Sequence, residues 1–203
     1  MRASKQTIKR RFEERQETSD MYHDCIMAGF GGQGILMIGD ILSLAAMADG
    51  RNVTWMPSYG VEMRGGTARC TVVISDDRIG SPITGSPSGC LVMNKPSLDK
   101  YESWVAPGGV LVANGTFIKA SDFTRDDISI LLVPTNEIAE QVGDKRTASM
   151  VALGAYIEMT GVTDTPGITA ALEKTFSGKK AKLVPINIEA IDQGRRFARE
   201  NRK

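Results

Sequence analysis

Cysteine and histidine are scarce in this chain. Its 203 residues include three cysteines, Cys25, Cys70 and Cys90, and a single histidine, His23. An iron–sulfur cluster needs four thiolates, usually with C-x₂-C spacing, and a zinc site needs similar clustering. Neither spacing occurs, so no metal ligands and no metal catalysis are expected from this chain alone. The cysteines are odd in number and far apart, and read as buried, reduced thiols. His23 precedes the first predicted strand and gives no triad; no catalytic residue is assigned. Charge of one sign is also lacking. The formal net charge is +1, which leaves no broad electrostatic case for nucleic acid. No apolar run approaches the roughly 20 residues of a membrane span. The first 20 residues are charged, without the apolar core of a signal peptide. A cytoplasmic protein is expected.

What the chain does have is 41% hydrophobic residues, enough for one domain with a full core. Residues 1–20 alternate in charge sign, from Lys5 and Lys9 to Glu13, Glu14 and Glu17. They read as a flexible tail, a solvated helix with i, i+4 pairs, or a docking arm. Residues 21–203 form the single domain.

The rest is organised around Gly29-Phe30-Gly31-Gly32-Gln33-Gly34. An apolar run, Cys25-Ile26-Met27-Ala28, leads in, and an amphipathic helix, Ile35 to Ala48, leads out. Glycines let the backbone turn without a Cβ clash. They leave the first N–H groups of the helix open at the positive end of its dipole, where phosphate oxygens are favoured. The spacing fits G-x-G-x-x-G in the strand–turn–helix context it requires. A dinucleotide fold would also carry an acid at the end of strand two. The second strand, Asn52 to Met56, is followed by Pro57-Ser58 instead. The glycines therefore signal either an anionic ligand or close helix–strand packing.

Further elements follow in order. Thr67 to Ser75 alternates as a strand, and Cys90 to Met93, Val110 to Ala113 and Ile130 to Val133 are short buried strands. Helices are expected over Ser97 to Trp104, Glu137 to Val142, Thr147 to Thr160, Thr165 to Phe176 with Thr165 as its N-cap and Pro166 in first position, and Ile188 to Arg199, with Leu183-Val184-Pro185 extended. Gly154 in mid-helix costs about 1 kcal/mol against Ala, which suggests close packing there. This alternation predicts an α/β fold: an open, mostly parallel Rossmann-like sheet with helices on both faces. A strand- and loop-rich lobe is expected around 57–90. Its loop Tyr59-Gly60-Val61-Glu62-Met63-Arg64-Gly65-Gly66 has neither strand nor helix periodicity. Glycines give Arg64 room to reach a phosphate or carboxylate; pairing with Glu62 is the alternative.

The glycine turn, Tyr59–Gly66 and Ile79-Gly80-Ser81-Pro82 together resemble the gamma subunit of 2-oxoacid:ferredoxin oxidoreductases, from about residue 24 to 190. Within that family the likeness is greatest to the separate gamma subunit of the 2-oxoglutarate enzyme, with the pyruvate and branched-chain 2-oxoacid enzymes as rivals. The resemblance implies a complex that oxidatively decarboxylates a 2-oxoacid to acyl-CoA, CO2 and reduced ferredoxin. It implies thiamine diphosphate and [4Fe–4S] clusters on alpha, beta and delta (ferredoxin-like) partner subunits. This chain would be non-catalytic and structural, inactive alone and able to self-associate when isolated. It also implies contact with CoA, an anionic nucleotide suited to the turn. Gly29, Gly31, Gly32, Gln33, Gly34, Arg64, Gly65 and Gly66 are the candidate contacts. Where members of the family often carry Asn, this chain has Ser149. A free-standing nucleotide-binding module is the alternative.

Overall fold

The computed structural model describes residues 21–60 and 66–202. Six strands form one sheet: β1 (Tyr22–Phe30), β2 (Asn52–Tyr59), β3 (Thr67–Ser75), β4 (Gly89–Val92), β5 (Val110–Asn114) and β6 (Ser129–Val133). Their order is β2-β3-β1-β4-β5-β6. β1, β4, β5 and β6 pair in parallel, and β3 runs antiparallel to both its neighbours. The mostly parallel α/β sheet predicted from the sequence is present. The lobe expected over 57–90 grows out of that sheet: it supplies the end of β2, all of β3 and the loop before β4.

Six helices are described: α1 (Ile35–Ala48), α2 (Lys95–Tyr101), α3 (Thr135–Val142), α4 (Ala148–Thr160), α5 (Thr165–Thr175) and α6 (Val184–Asn201). Strand periodicity sends alternate residues to opposite faces. Cys25, Met27, Leu91 and Val112 join α1, α4, α5 and α6 in the larger core. Ile26, Ala28, Cys90, Val92 and Leu111 meet Leu98 and Tyr101 of α2 on the other face. The three cysteines are free and buried, and burial pushes the thiols of Cys70 and Cys90 up to about 12. No described helix is long and apolar enough to cross a membrane.

Three local expectations are corrected. β2 continues through Pro57 and Ser58 to Tyr59. It lies at the sheet edge, where a residue without an N–H can be tolerated. Asp164, not Thr165, caps α5 by accepting from the Gly167 N–H at 3.3 Å. Leu183-Val184-Pro185 is not extended. Residues 178–183 form 3-10 turns and α6 begins at Val184, with Pro185 in its first turn, where a missing N–H costs nothing.

His23 lies inside β1 rather than before it. Its Nε2 is 2.6 Å from the hydroxyl of buried Tyr156, and its Nδ1 is 3.3 Å from Ser88 Oγ. Asp24 and Ser88 do stand beside it, yet no triad results. The Asp24 carboxylate accepts from the Ser88 N–H and the Thr84 hydroxyl. The Ser88 hydroxyl donates to the Asp24 carbonyl. Burial lowers the His23 pKa to about 4, against a smaller opposing effect of Asp24. The imidazole is therefore neutral in the fold at pH 7. Since the unfolded chain takes up this proton near pH 6.5, His23 favours the folded state fully above that pH. That contribution is lost as pH falls from 6.5 to about 4, a change on the order of 3 kcal/mol. We expect the urea midpoint of the wild type to fall more steeply over this window than that of His23→Asn. Parallel curves would contradict the assignment.

Candidate functional site

The glycine turn stands where β1 ends, between the strands that turn to β3 and those that continue through β4. Ligands in open α/β sheets bind at such a switch point, outside the carboxyl ends of the strands. Gly32 and Gly34 adopt φ of 100° and 76°, a region that favours glycine. Gly34 is the N-cap of α1 and supplies no side-chain cap. Neither the Gly32 nor the Gly34 N–H has a backbone partner among the described residues. The first N–H groups of α1 are likewise without intrahelical partners.

The structure divides the predicted residues by role. Gly29 belongs to β1; a Cβ there would lie 2.8 Å from Gln33 Oε1, so its bareness makes room for that side chain. The Gly31 N–H donates to the Gly66 carbonyl at 2.8 Å, which ties the turn to the end of the 60–66 loop. Gly66 is thus brought to the turn. Arg64 and Gly65, with Glu62, lie outside the described residues. Gln33 is held by the protein on both ends of its amide. Its Oε1 accepts from the Phe30 N–H at 2.7 Å and from Asn94 Nδ2 at 2.9 Å. Its Nε2 donates to the Met93 carbonyl at 3.1 Å. Asn94 in turn caps α2 through the Ser97 N–H. Gln33 is therefore a clamp that fixes the turn to the end of β4.

Gly32, Gln33 and Gly34 form one wall of a cleft of about 470 Å³, within the roughly 300–1,000 Å³ range of small-molecule sites. The opposite walls come from Asn114, Phe117, Asn136, Lys145, Arg146 and Ser149. Apart from Ser149, none of these is singled out by the sequence as a cleft residue. Asn114 ends β5, Asn136 sits in the first turn of α3 after β6, and Ser149 begins α4. The available signal was a polar residue just past successive parallel strands. Ser149 is 3% exposed and lies against the turn: a Cβ on Gly34 would be 2.5 Å from its Oγ. No described residue hydrogen-bonds this hydroxyl, and Ser149 lines the cleft.

Among the described residues, the cleft wall carries two cations and no carboxylate. Lys145 pairs with Glu140 at 2.6 Å and Arg146 with Asp144 at 2.6 Å. Hydrogen bonds from Arg146 hold the Asp144 carboxyl at about 2. Both cations are exposed, so these pairs contribute little and can exchange for an incoming anion. Neutral N–H donors, a hydroxyl and two cations suit a phosphorylated ligand. The cleft contains no described arrangement of nucleophile and base.

Comparison with known proteins places the chain in a family. A family model for pyruvate ferredoxin/flavodoxin oxidoreductase matches residues 24–197. The chain is 40% identical over 177 residues to ketoisovalerate oxidoreductase subunit VorA of Methanothermobacter thermautotrophicus. That match covers 86% of this chain but only 36% of VorA. The chain is 35% identical to 2-oxoglutarate synthase subunit KorC of Methanothermobacter marburgensis, over 87% of this chain and 97% of KorC. The crystal structure of a keto/oxoacid ferredoxin oxidoreductase gamma subunit from Geobacter sulfurreducens superposes with a TM-score of 0.75 at 27% identity. It covers 88% of this chain and 99% of that one. With a family model over most of its length and relatives at 35–40% identity, the chain belongs to the pyruvate ferredoxin/flavodoxin oxidoreductase family.

Proposed function

We propose that this chain is the gamma subunit of a cytoplasmic 2-oxoacid:ferredoxin oxidoreductase and seats CoA for subunits that carry the reactive groups. The near full-length correspondence with a separate gamma subunit supports the subunit role. The observation that carries the ligand reading is the cleft: Gly32 and Gly34 N–H groups without a backbone partner among the described residues, the Ser149 hydroxyl and two cations, with no acid among the described wall residues. CoA is an anionic nucleotide whose phosphates match that set. Its thiol supplies the acyl acceptor of the proposed reaction. This chain's part is to hold the nucleotide end: Gln33 fixes the turn, the turn and Ser149 donate to phosphate, and Lys145 and Arg146 balance charge. Thiamine diphosphate, [4Fe–4S] clusters and the ferredoxin contact are assigned to alpha, beta and delta partners.

The substrate reading shifts from the one expected from sequence. Identity is higher to the ketoisovalerate relative than to the 2-oxoglutarate relative, which favours a branched-chain 2-oxoacid. The 97% length match to KorC keeps 2-oxoglutarate as the second reading; pyruvate, at 28% identity to a pyruvate synthase subunit, stands third. The complex purified through this chain should reduce ferredoxin with CoA and ketoisovalerate at a higher kcat/KM than with 2-oxoglutarate or pyruvate. Preference for either of the other two would reassign the substrate. CoA-independent turnover with all three would remove CoA from the account.

A further inference from the structure

α1 is apolar on nearly every side. Its 14 residues include one charged side chain, Asp40. A helix of that composition belongs inside a protein, yet this one is covered on only part of its circumference. Ile38, Ile41, Leu42 and Ala45 are buried in the larger core. On one flank Gly39 packs against Cys70 of β3 and Trp55 of β2, and on the other the Ala45 carbonyl meets Gly167 of α5. Between those flanks lie Leu36, Met37, Asp40, Leu44 and Met47, none of them fully buried. At about 3.6 residues per turn, these five share an arc of about 100°. Met47 is 57% exposed, and Trp55, on the neighbouring edge strand, is 39% exposed. The outer edge of β2 has no strand beside it among the described residues. The helix face and the strand edge make one apolar surface at this side of the sheet.

We propose that this surface receives an apolar helix of a partner subunit, with one Lys or Arg of that helix set against Asp40. Met37, Asp40, Leu44 and Met47 follow the three- and four-residue spacing of a helix–helix seam. Asp40 stands in the middle of it, and among the described residues no cation is within ion-pair distance of its carboxylate. A covering helix without a cation would bury that charge unpaired, which is strongly unfavourable. A second copy of α1 is such a helix. Antiparallel in full register it sets Asp40 against Leu44, and parallel it sets Asp40 against Asp40. The occupant is therefore a chain of different sequence. The open face of α1 is about 21 Å long and offers on the order of 200 Å², while a stable interface takes roughly 800 Å² from each side. The partner therefore continues past the helix over Trp55 and the open edge of β2, where its backbone can pair. This surface rests on the subunit role proposed above and is independent of the CoA reading.

The test purifies the native complex through a tag on this chain and measures which subunits are retained. Met47→Glu should retain about tenfold less of one partner than the wild type. Asp40→Lys should do the same, because it sets like charge against the partner's cation. The isolated Met47→Glu chain should keep the wild-type urea midpoint, since the side chain is exposed; loss of the partner is then not loss of the fold. A photo-crosslinking side chain placed at Met47 should join to a partner-subunit peptide with helix-spaced apolar residues and an internal Lys or Arg. Equal retention by the wild type and Met47→Glu overturns the surface. Cross-links confined to residues 1–20 or to a second copy overturn it as well, because the occupant would then be this chain itself. A wild-type preparation that retains no partner at all defeats the subunit reading along with the surface, whereas partners held equally by every variant leave that reading standing.

Discussion

Replacing Gly154 with Ala should destabilise this protein, although the same change in an isolated helix is stabilising by about 1 kcal/mol. α4 crosses α6 so closely that backbone meets backbone. A Cβ at Gly154 would overlap the Ile191 carbonyl oxygen, and a Cβ at Gly194 would overlap the Val151 carbonyl oxygen. The obstacle on each side is main chain, which cannot rotate away as a side chain can. Overpacking of this kind costs about 1–3 kcal/mol and occasionally more. The penalty exceeds the gain in helix propensity, so the net sign reverses. The two sites are coupled: once one alanine has pushed the helices apart, the second finds the space already made. We expect Gly154→Ala and Gly194→Ala each to lower the urea midpoint, and the double variant to lose less than the sum. A stabilised Gly154→Ala would mean that the helices do not meet as described. These helices form much of the larger core, and α4 carries Ser149 at its start. Loss of this crossing therefore reaches the cleft.

The second large effect is expected at Gln33. Gln33→Leu removes three hydrogen bonds, to the Phe30 N–H, the Asn94 amide and the Met93 carbonyl. Each partner left unpaired in a part-buried site costs about 1–3 kcal/mol. A summed loss on the order of 3 kcal/mol follows. The functional effect should be as large, because the turn is no longer tied to β4 and its N–H groups lose their fixed aim. In the assembled enzyme we expect a rise in the KM for CoA on the order of tenfold or more. Gln33→Glu discriminates between positioning and contact. Its carboxylate still accepts from Phe30 and Asn94 but cannot donate to Met93, and it places negative charge beside the phosphate seat. Stability should recover in part while CoA binding worsens further. A Gln33→Leu complex with unchanged KM would show that the clamp is dispensable.

Local signals carried much of this fold. The bounds of α1 and β3 follow from glycine punctuation and from β-branched alternation, and both match residue by residue. What failed was set by neighbours. Pro57 looked like a strand end, yet an edge strand leaves an unpaired side where its missing donor does no harm. The direction of β3 depends on a hairpin whose turn has no readable strand pattern. Val184-Pro185 looked extended because proline is expected to break helices, whereas in the first turn it starts one. The site was legible only in its first wall. Gly32 and Gly34 announce themselves by spacing. Gln33 has no local mark of its clamping role, since two of its partners, Met93 and Asn94, are 60 or more residues away. Lys145 and Arg146 look like ordinary surface cations until the sheet sets α4 opposite the turn.

The most direct measurement is an omission and add-back assay on the native complex. The chain is tagged, the complex is purified through it, and ferredoxin reduction is followed with CoA and the preferred 2-oxoacid. No turnover is expected from the chain alone, and turnover is expected from the complex. Complex rebuilt with the Gly34→Val chain should need far more CoA for half-maximal rate. Oxidation of any 2-oxoacid by the isolated chain would contradict it, as would a native preparation in which no thiamine-dependent companion accompanies the chain.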